Sequence, residues 1–172
     1  MEIKHILIGL LLAAPVSSNA NTFQDIVNTN NRINRLSYIA DKSDEWLTPS
    51  EMLANGGGDC EDFAISKYWD LRSKGFAPED LLISYVSIQN NPQAHMVLMV
   101  KHNGETLVLD NISKLVLKRS ERLDLKVVYQ FNEKHIYLKG IRTANAQLIE
   151  RWSHIINDMK TISIQSSNSN LT

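Results

Sequence analysis

The sequence predicts an α+β fold, and three patterns predict it. Apolar residues recur at helical spacing in the segments between Phe23 and Leu71. From Leu81 to Leu138 the chain breaks into short β-rich runs bounded by turn residues. From Ala144 to Thr161 the helical spacing returns. Helices, then closely connected strands, then a helix is the order of an antiparallel sheet with helices packed against it. The chain has 172 residues, 43% of them hydrophobic, enough for one core and too few for two ordinary domains. Its formal net charge of -1 argues against a basic nucleic-acid surface or an acidic solvating tail.

The first twenty residues read as an export signal. Lys4 gives a weakly positive start, and Ile6 to Val16 is an apolar run too short to span a bilayer. Ser18 and Ala20 then stand at the small-residue positions of a cleavage site. The mature chain is expected to begin near Asn21, in the periplasm, and to form a single domain over residues 21–172. No cysteine lies near the cleavage site, which excludes a lipoprotein anchor.

Phe23 to Ile39 reads as a short helical stretch interrupted by the asparagine-rich Asn28 to Asn31. Thr48, Pro49 and Glu51 have the order of a capping box opening a second helix. Gly56-Gly57-Gly58 allows a tight, close-approaching turn, after which Asp59 can cap a helix with Asp62 three residues on. That helix runs through Phe63, Ala64, Ile65, Tyr68, Trp69 and Leu71 to Gly75, so Cys60 sits in its first turn. Leu81–Ile88 is a strand, and Gln89–Ala94 a polar loop. His95–His102 and Glu105–Ile112 form a hairpin about Asn103-Gly104. Leu123–Tyr129 and His135–Leu138 are further strands. The closing helix places Leu148, Trp152, Ile155, Ile156 and Met159 on one side.

Cys60 is the only cysteine, so it has no disulfide partner within the chain. A thiol attacks as its thiolate, and with an ordinary pKa of about 8.5 it needs a helix N-terminus or an imidazole to lose its proton. The hairpin supplies the imidazole. A two-residue loop sets Val97 opposite Asp110 and His95 opposite Ile112. Because side chains alternate, His95 and Asp110 become diagonal neighbours on one face, while His102 points away. A carboxylate accepting from one imidazole nitrogen fixes the tautomer and leaves the other for the thiol. The pattern therefore singles out Cys60, His95 and Asp110. Each also has a plain structural reading, as a buried thiol, a strand residue and a turn acid.

Trp46-Leu47-Thr48-Pro49-Ser50-Glu51 and Gly56-Gly57-Gly58-Asp59-Cys60-Glu61-Asp62-Phe63-Ala64-Ile65 resemble blocks of the bacterial transglutaminase-like cysteine peptidases. His95-Met96-Val97-Leu98, Leu107-Val108-Leu109-Asp110-Asn111 and the stretch from Asp124-Leu125 to Phe131-Asn132 follow in the same order. The resemblance covers roughly residues 30 to 140. It implies a papain/transglutaminase-like fold and a cysteine endopeptidase with Cys60, His95 and Asp110 as its triad. LapG-type members are periplasmic proteases that clip the N-terminal region of large surface adhesins and so release cells from a biofilm. An inner-membrane cyclic di-GMP receptor sequesters them. The chain departs from the family before Trp46, where a longer segment with a second tryptophan is usual.

The resemblance also implies a calcium site at Asp59 and Glu61, with Asp62 as a further candidate ligand. The residues alone favour helix capping, since carboxylates suit a helix N-terminus and calcium wants more oxygens than this run supplies. Acids flanking a thiol oppose its ionisation, however, and a bound cation would offset them. Two other functions fit the same residues. One is acyl transfer to an amine, which passes through the same thioester; the other is a module that binds a partner without cleaving it.

Overall fold

The computed structural model describes residues 21–40 and 43–169. The expected signal segment lies outside them. The described residues form four helices and nine strands: α1 (Phe23–Ile33), β1 (Ser37–Tyr38), α2 (Pro49–Ala54), β2 (Gly57–Gly58), α3 (Cys60–Ser73), β3 (Leu81–Ile88), β4 (Asn91–His102), β5 (Glu105–Leu109), β6 (Leu117–Lys118), β7 (Leu125–Phe131), β8 (His135–Leu138), β9 (Ile141–Asn145) and α4 (Glu150–Ser169). Strands β3 to β9 make one seven-stranded sheet in the order β6-β5-β4-β3-β7-β8-β9. Every pairing in it is antiparallel. This is the expected α+β arrangement, with the sheet running further at both ends than the pattern showed.

The alternation of β4 divides the core. Met96, Leu98 and Val100 join the main cluster with Ile26 of α1, Ala64, Ile65, Tyr68 and Leu71 of α3, and Trp152, Ile155 and Ile156 of α4. Val97 and Met99 face the other way, into a smaller cluster with Leu82, Val86, Val108 and Leu125. A third cluster of Ile33, Met52 and Phe63 wedges α1 and α2 against α3.

Several expectations are corrected. Helix α1 is continuous through Asn28–Asn31. The Thr22–Asp25 capping box starts it, and Thr29 and Asn30 lie on its buried face, where Asn30 Nδ2 donates to Lys114 O at 2.9 Å. Those polar residues therefore serve as tertiary anchors without breaking the helix. The loop before His95 is also shorter than expected. Asn90 turns the chain with a φ of 63°, and β4 resumes pairing with β3 from Asn91. Strands β6 and β9 are short and largely exposed, with little alternation to betray them. Strand β9 takes residues 141–145, so the last helix begins only at Glu150, and Leu148 is exposed instead of joining the helix face.

The glycines before Cys60 act through close approach. Parallel pairing of β1 with β2 sets Ser37 beside Gly57, where a Cβ would stand 1.9 Å from the Ser37 carbonyl oxygen. At Gly58 a Cβ would stand 2.3 Å from a carboxylate oxygen of Asp62. Backbone and carboxylate thus occupy the space a side chain needs. Gly57→Ala is expected to force β1 away from β2 and to destabilise the protein by about 2 kcal/mol or more. Thermal unfolding of the variant, beside an exposed control such as Leu53→Ala, measures this. An unchanged melting temperature would show that the approach is not tight.

Candidate active site

Cys60 is the first residue of α3, and its placement is fixed from three directions. Asp62 Oδ1 accepts from the Leu47 amide at 2.8 Å, and Oδ2 accepts from the Asp59 amide at 3.1 Å. One carboxylate therefore ties the loop before α2 and the N-cap of α3 to the first helical turn. Phe63, Ala64 and Ile65 are buried and seat that turn in the core. The thiol itself is half-buried and donates to Glu61 Oε2 at 3.2 Å.

The expected hairpin register is the one observed. His102 pairs with Glu105 and Leu98 with Leu109 across an Asn103-Gly104 turn in which both residues have positive φ. Extending it sets Val97 beside Asp110, and His95 Nε2 meets Asp110 Oδ1 at 2.8 Å, both side chains buried. His102 lies at the far end of the strand, with an exposed asparagine as its neighbour. Alternation also shows how Cys60 reaches His95. Helix α3 packs on the Met96–Leu98 face and His95 belongs to the other. Both residues line the clefts at the edge of β4, where the Met96 backbone amide faces the thiol. Cys60 and His95 line two clefts in common. One, of roughly 340 Å³, includes Tyr38, Ile88 and Ile112. The other, of roughly 550 Å³, includes Asp44, Trp46, Glu61, Tyr85, Tyr129 and Arg151.

Asp110 is 1% exposed and is the hub of the buried polar groups. Burial alone would push its carboxyl up. The hydrogen bond and charge of His95, the Ile112 amide at 3.0 Å and Arg122 Nη1 at 2.8 Å outweigh that and hold it down at about 2. An ionised carboxylate can only accept, so His95 carries its proton on Nε2 and leaves Nδ1 to serve the thiol. Arg122 is itself held by Asp124, through Nε and Nη2 at 2.9 Å each. Sequence reasoning missed Arg122. Its one signal was position, just ahead of the noted Asp124-Leu125 block. It also missed Asn34, whose Nδ2 donates to the Asp110 carbonyl at 2.8 Å, and Lys67. The Lys67 ammonium is fully buried and has no hydrogen-bond partner among the described residues. Burial pushes its pKa down to about 7, against the pull of the Asp110 charge.

Around the thiol the electrostatics run against ionisation. Burial pushes the Cys60 pKa up, and the Glu61 charge, the Glu61 hydrogen bond and Asp59 add to it; the Met96 amide alone opposes. Glu61 is buried and hydrogen-bonded to the Asp59 side chain, and burial with that contact raises its pKa to about 8. The ligand atoms of Asp59, Cys60 and Glu61 all lie within 4.8 Å of one another. Two carboxylates held together at that spacing suit a hard, oxygen-seeking cation such as calcium. Asp62 lies outside this group, and its two oxygens each accept a backbone amide.

A thiol on a helix N-terminus at the edge of an antiparallel sheet, beside a His–Asp pair, defines a transglutaminase-like cysteine peptidase arrangement. Comparison with known proteins agrees. The family model described as bacterial transglutaminase-like cysteine proteinase matches residues 12–136, and the chain belongs to that family. It is accordingly a cysteine peptidase. Legionella pneumophila LapG is 34% identical, with a TM-score of 0.72 over 79% of this chain and 77% of that one. An EGTA-treated structure of LapG superposes with a TM-score of 0.73 at 34% identity, covering 79% and 78% of the two chains. A calcium-bound structure gives 0.71 at 35% identity, covering 79% of each. Comparison with curated proteins returns no match.

The low Asp110 pKa carries a stability prediction. Its value in the fold lies below the ordinary value of about 3.9, so the stabilisation is full above that value and is lost as pH falls through about 2. Asp110→Asn is expected to reduce unfolding free energy by roughly 2 kcal/mol at neutral pH. The gap from wild type should narrow between about pH 4 and pH 2. Urea unfolding across that range checks it, and a gap independent of pH would mean that Asp110 is not held ionised.

Proposed function

We propose that the protein is a periplasmic cysteine endopeptidase in which Cys60, His95 and Asp110 form the catalytic triad. The observation that carries this is the 2.8 Å contact between His95 Nε2 and a buried, ionised Asp110, at the edge where Cys60 enters the sheet. His95 Nδ1 takes the thiol proton as sulfur attacks the scissile carbonyl. The resulting imidazolium gives that proton to the leaving amine. A thioester remains on Cys60, and His95 then draws a proton from the water that hydrolyses it. Asp110 stays ionised throughout and stabilises the imidazolium.

The substrate we propose is the N-terminal region of a large surface adhesin, cut to release the cell from a biofilm, with an inner-membrane cyclic di-GMP receptor as the regulator. Support for this comes from the 34% identity to LapG over 79% of the chain and from the motif blocks. Export by a cleaved signal peptide, giving a mature start near Asn21, is part of the same reading. Among the described residues no helix is long and apolar enough to cross a membrane. Calcium held by Asp59 and Glu61 would supply positive charge beside the thiol. The clustered carboxylates and the calcium-bound LapG structure support this assignment.

Two experiments test the reading. Purified mature protein should cleave an adhesin N-terminal fragment. Cys60→Ser and His95→Ala should each lower turnover on the order of a thousandfold or more with folding retained, while His102→Ala stays active. Full activity in Cys60→Ser would end the triad proposal. For calcium, EGTA should suppress cleavage and added calcium restore it, with Asp59→Ala and Glu61→Ala weakening calcium binding in a calorimetric titration. If there is no heat of binding at millimolar calcium and full activity in chelator, these acids only cap the helix.

A further inference from the structure

Strand β4 is paired on both sides only from Leu98 to Val100. Against β3 its pairing runs from Asn91 to Val100. Against β5 it stops at Leu98, which faces Leu109. The turn-closing pair His102–Glu105 exchanges both its hydrogen bonds, so the even-numbered residues of β4 present N–H and C=O toward β5. Past Leu98 those groups belong to Met96 and Ala94, and β5 has no residue opposite either. The Met96 amide lies toward the Cys60 thiol and lowers its pKa. Ala94 is exposed, and it is a wall of both clefts that contain Cys60 and His95.

We infer that the open edge of β4 at Ala94 is the strand on which the substrate main chain pairs. An extended polypeptide aligned there exchanges hydrogen bonds with the Ala94 N–H and C=O, as peptides do when they add to an exposed sheet edge. Its backbone then runs past Cys60, two residues along the same edge from Ala94. Alternate side chains fall toward the apolar wall of Tyr38, Ile88 and Ile112 or toward the wall of Trp46, Tyr85, Tyr129 and Arg151. Main-chain pairing selects an unfolded or extended segment, whatever its side chains. This inference rests on the peptidase reading and adds to it the element that binds the substrate backbone.

The test separates main-chain recognition from thiol reactivity. Acetyl-tetra-alanyl chloromethyl ketone offers a peptide backbone with minimal side chains; the thiolate displaces its chloride and forms a thioether. Iodoacetamide alkylates the same sulfur without a peptide. Ala94→Pro deletes one outward N–H at an edge position where proline is tolerated, since that amide does not pair with β3. Labelling of Cys60 by the ketone should slow about tenfold in Ala94→Pro, the scale of one hydrogen bond, while the iodoacetamide rate is unchanged. A wild-type scan with reagents N-methylated at each amide in turn should show a similar loss at one position, with no further loss at that position in Ala94→Pro. Equal ketone rates in variant and wild type would overturn the inference. If the proline also slows iodoacetamide, the wild-type N-methyl scan decides, and a flat scan overturns it. A wild-type protein labelled no faster by the peptidyl ketone than by chloroacetone would strike down the peptidase reading, and this inference with it.

Discussion

The structure around the site depends on one buried negative charge. Asp110 is almost fully removed from water, where an isolated carboxylate would take up a proton. It stays ionised because donors and positive charges from separate parts of the chain converge on it. These are His95 from β4, Arg122 from the turn before β7 and the Ile112 amide. Its backbone carbonyl is held by Asn34, just past α1. Helix crossing, hairpin register and turn geometry are thereby referred to one atom group. The imidazole that it orients inherits the rigidity of all of them.

The N-terminus of α3 poses the opposite problem. Burial and the acids at 59 and 61 hold the Cys60 thiol protonated, so the features that place the sulfur also disfavour its reactive form. Asp62 is needed by backbone amides, and the close approach at Gly57 and Gly58 leaves no room to rearrange. Relief has to come from charge. Two sources stand beside the sulfur, the imidazole of His95 and whatever cation the Asp59–Glu61 pair can hold. A carboxylate pair next to a nucleophile makes physical sense as half of an ionic arrangement whose other half is positive.

Much of this was legible in the sequence. The Asn-Gly turn fixes a two-residue loop, and counting back from it placed His95 beside Asp110 because strand alternation admits one register. The capping box at Thr48 and the glycines before Cys60 announced their helices. What escaped were features set by tertiary partners. Asn28–Asn31 looks like a break in α1 until Asn30 is seen bonded to Lys114 O, 84 residues away. Arg122 has only its place ahead of Asp124-Leu125 to mark it and Lys67 has nothing, since an arginine in a turn and a lysine on a helix usually face water. Only the folded chain shows both buried, Arg122 bonded to Asp110 and Lys67 near enough to feel its charge. Strands β6 and β9 are too short and too exposed to alternate visibly.

Strand alternation distinguishes the two faces of a sheet, whereas this site lies on an edge. Helix α3 covers the face of Met96 and Leu98, and His95 belongs to the other, so a thiol and an imidazole on those two faces would be separated by the sheet. They share a cleft because β5 ends at Leu109. The reason it ends is again Asp110. Its Oδ1 accepts from the Ile112 amide two residues on, a side-chain turn that bends the chain out of the ladder. Had β5 continued, its next residues would have covered the amide of Met96 and closed the edge to Cys60. The carboxylate that aims His95 therefore also ends the strand that would otherwise block it, and orientation and access follow from the same side chain.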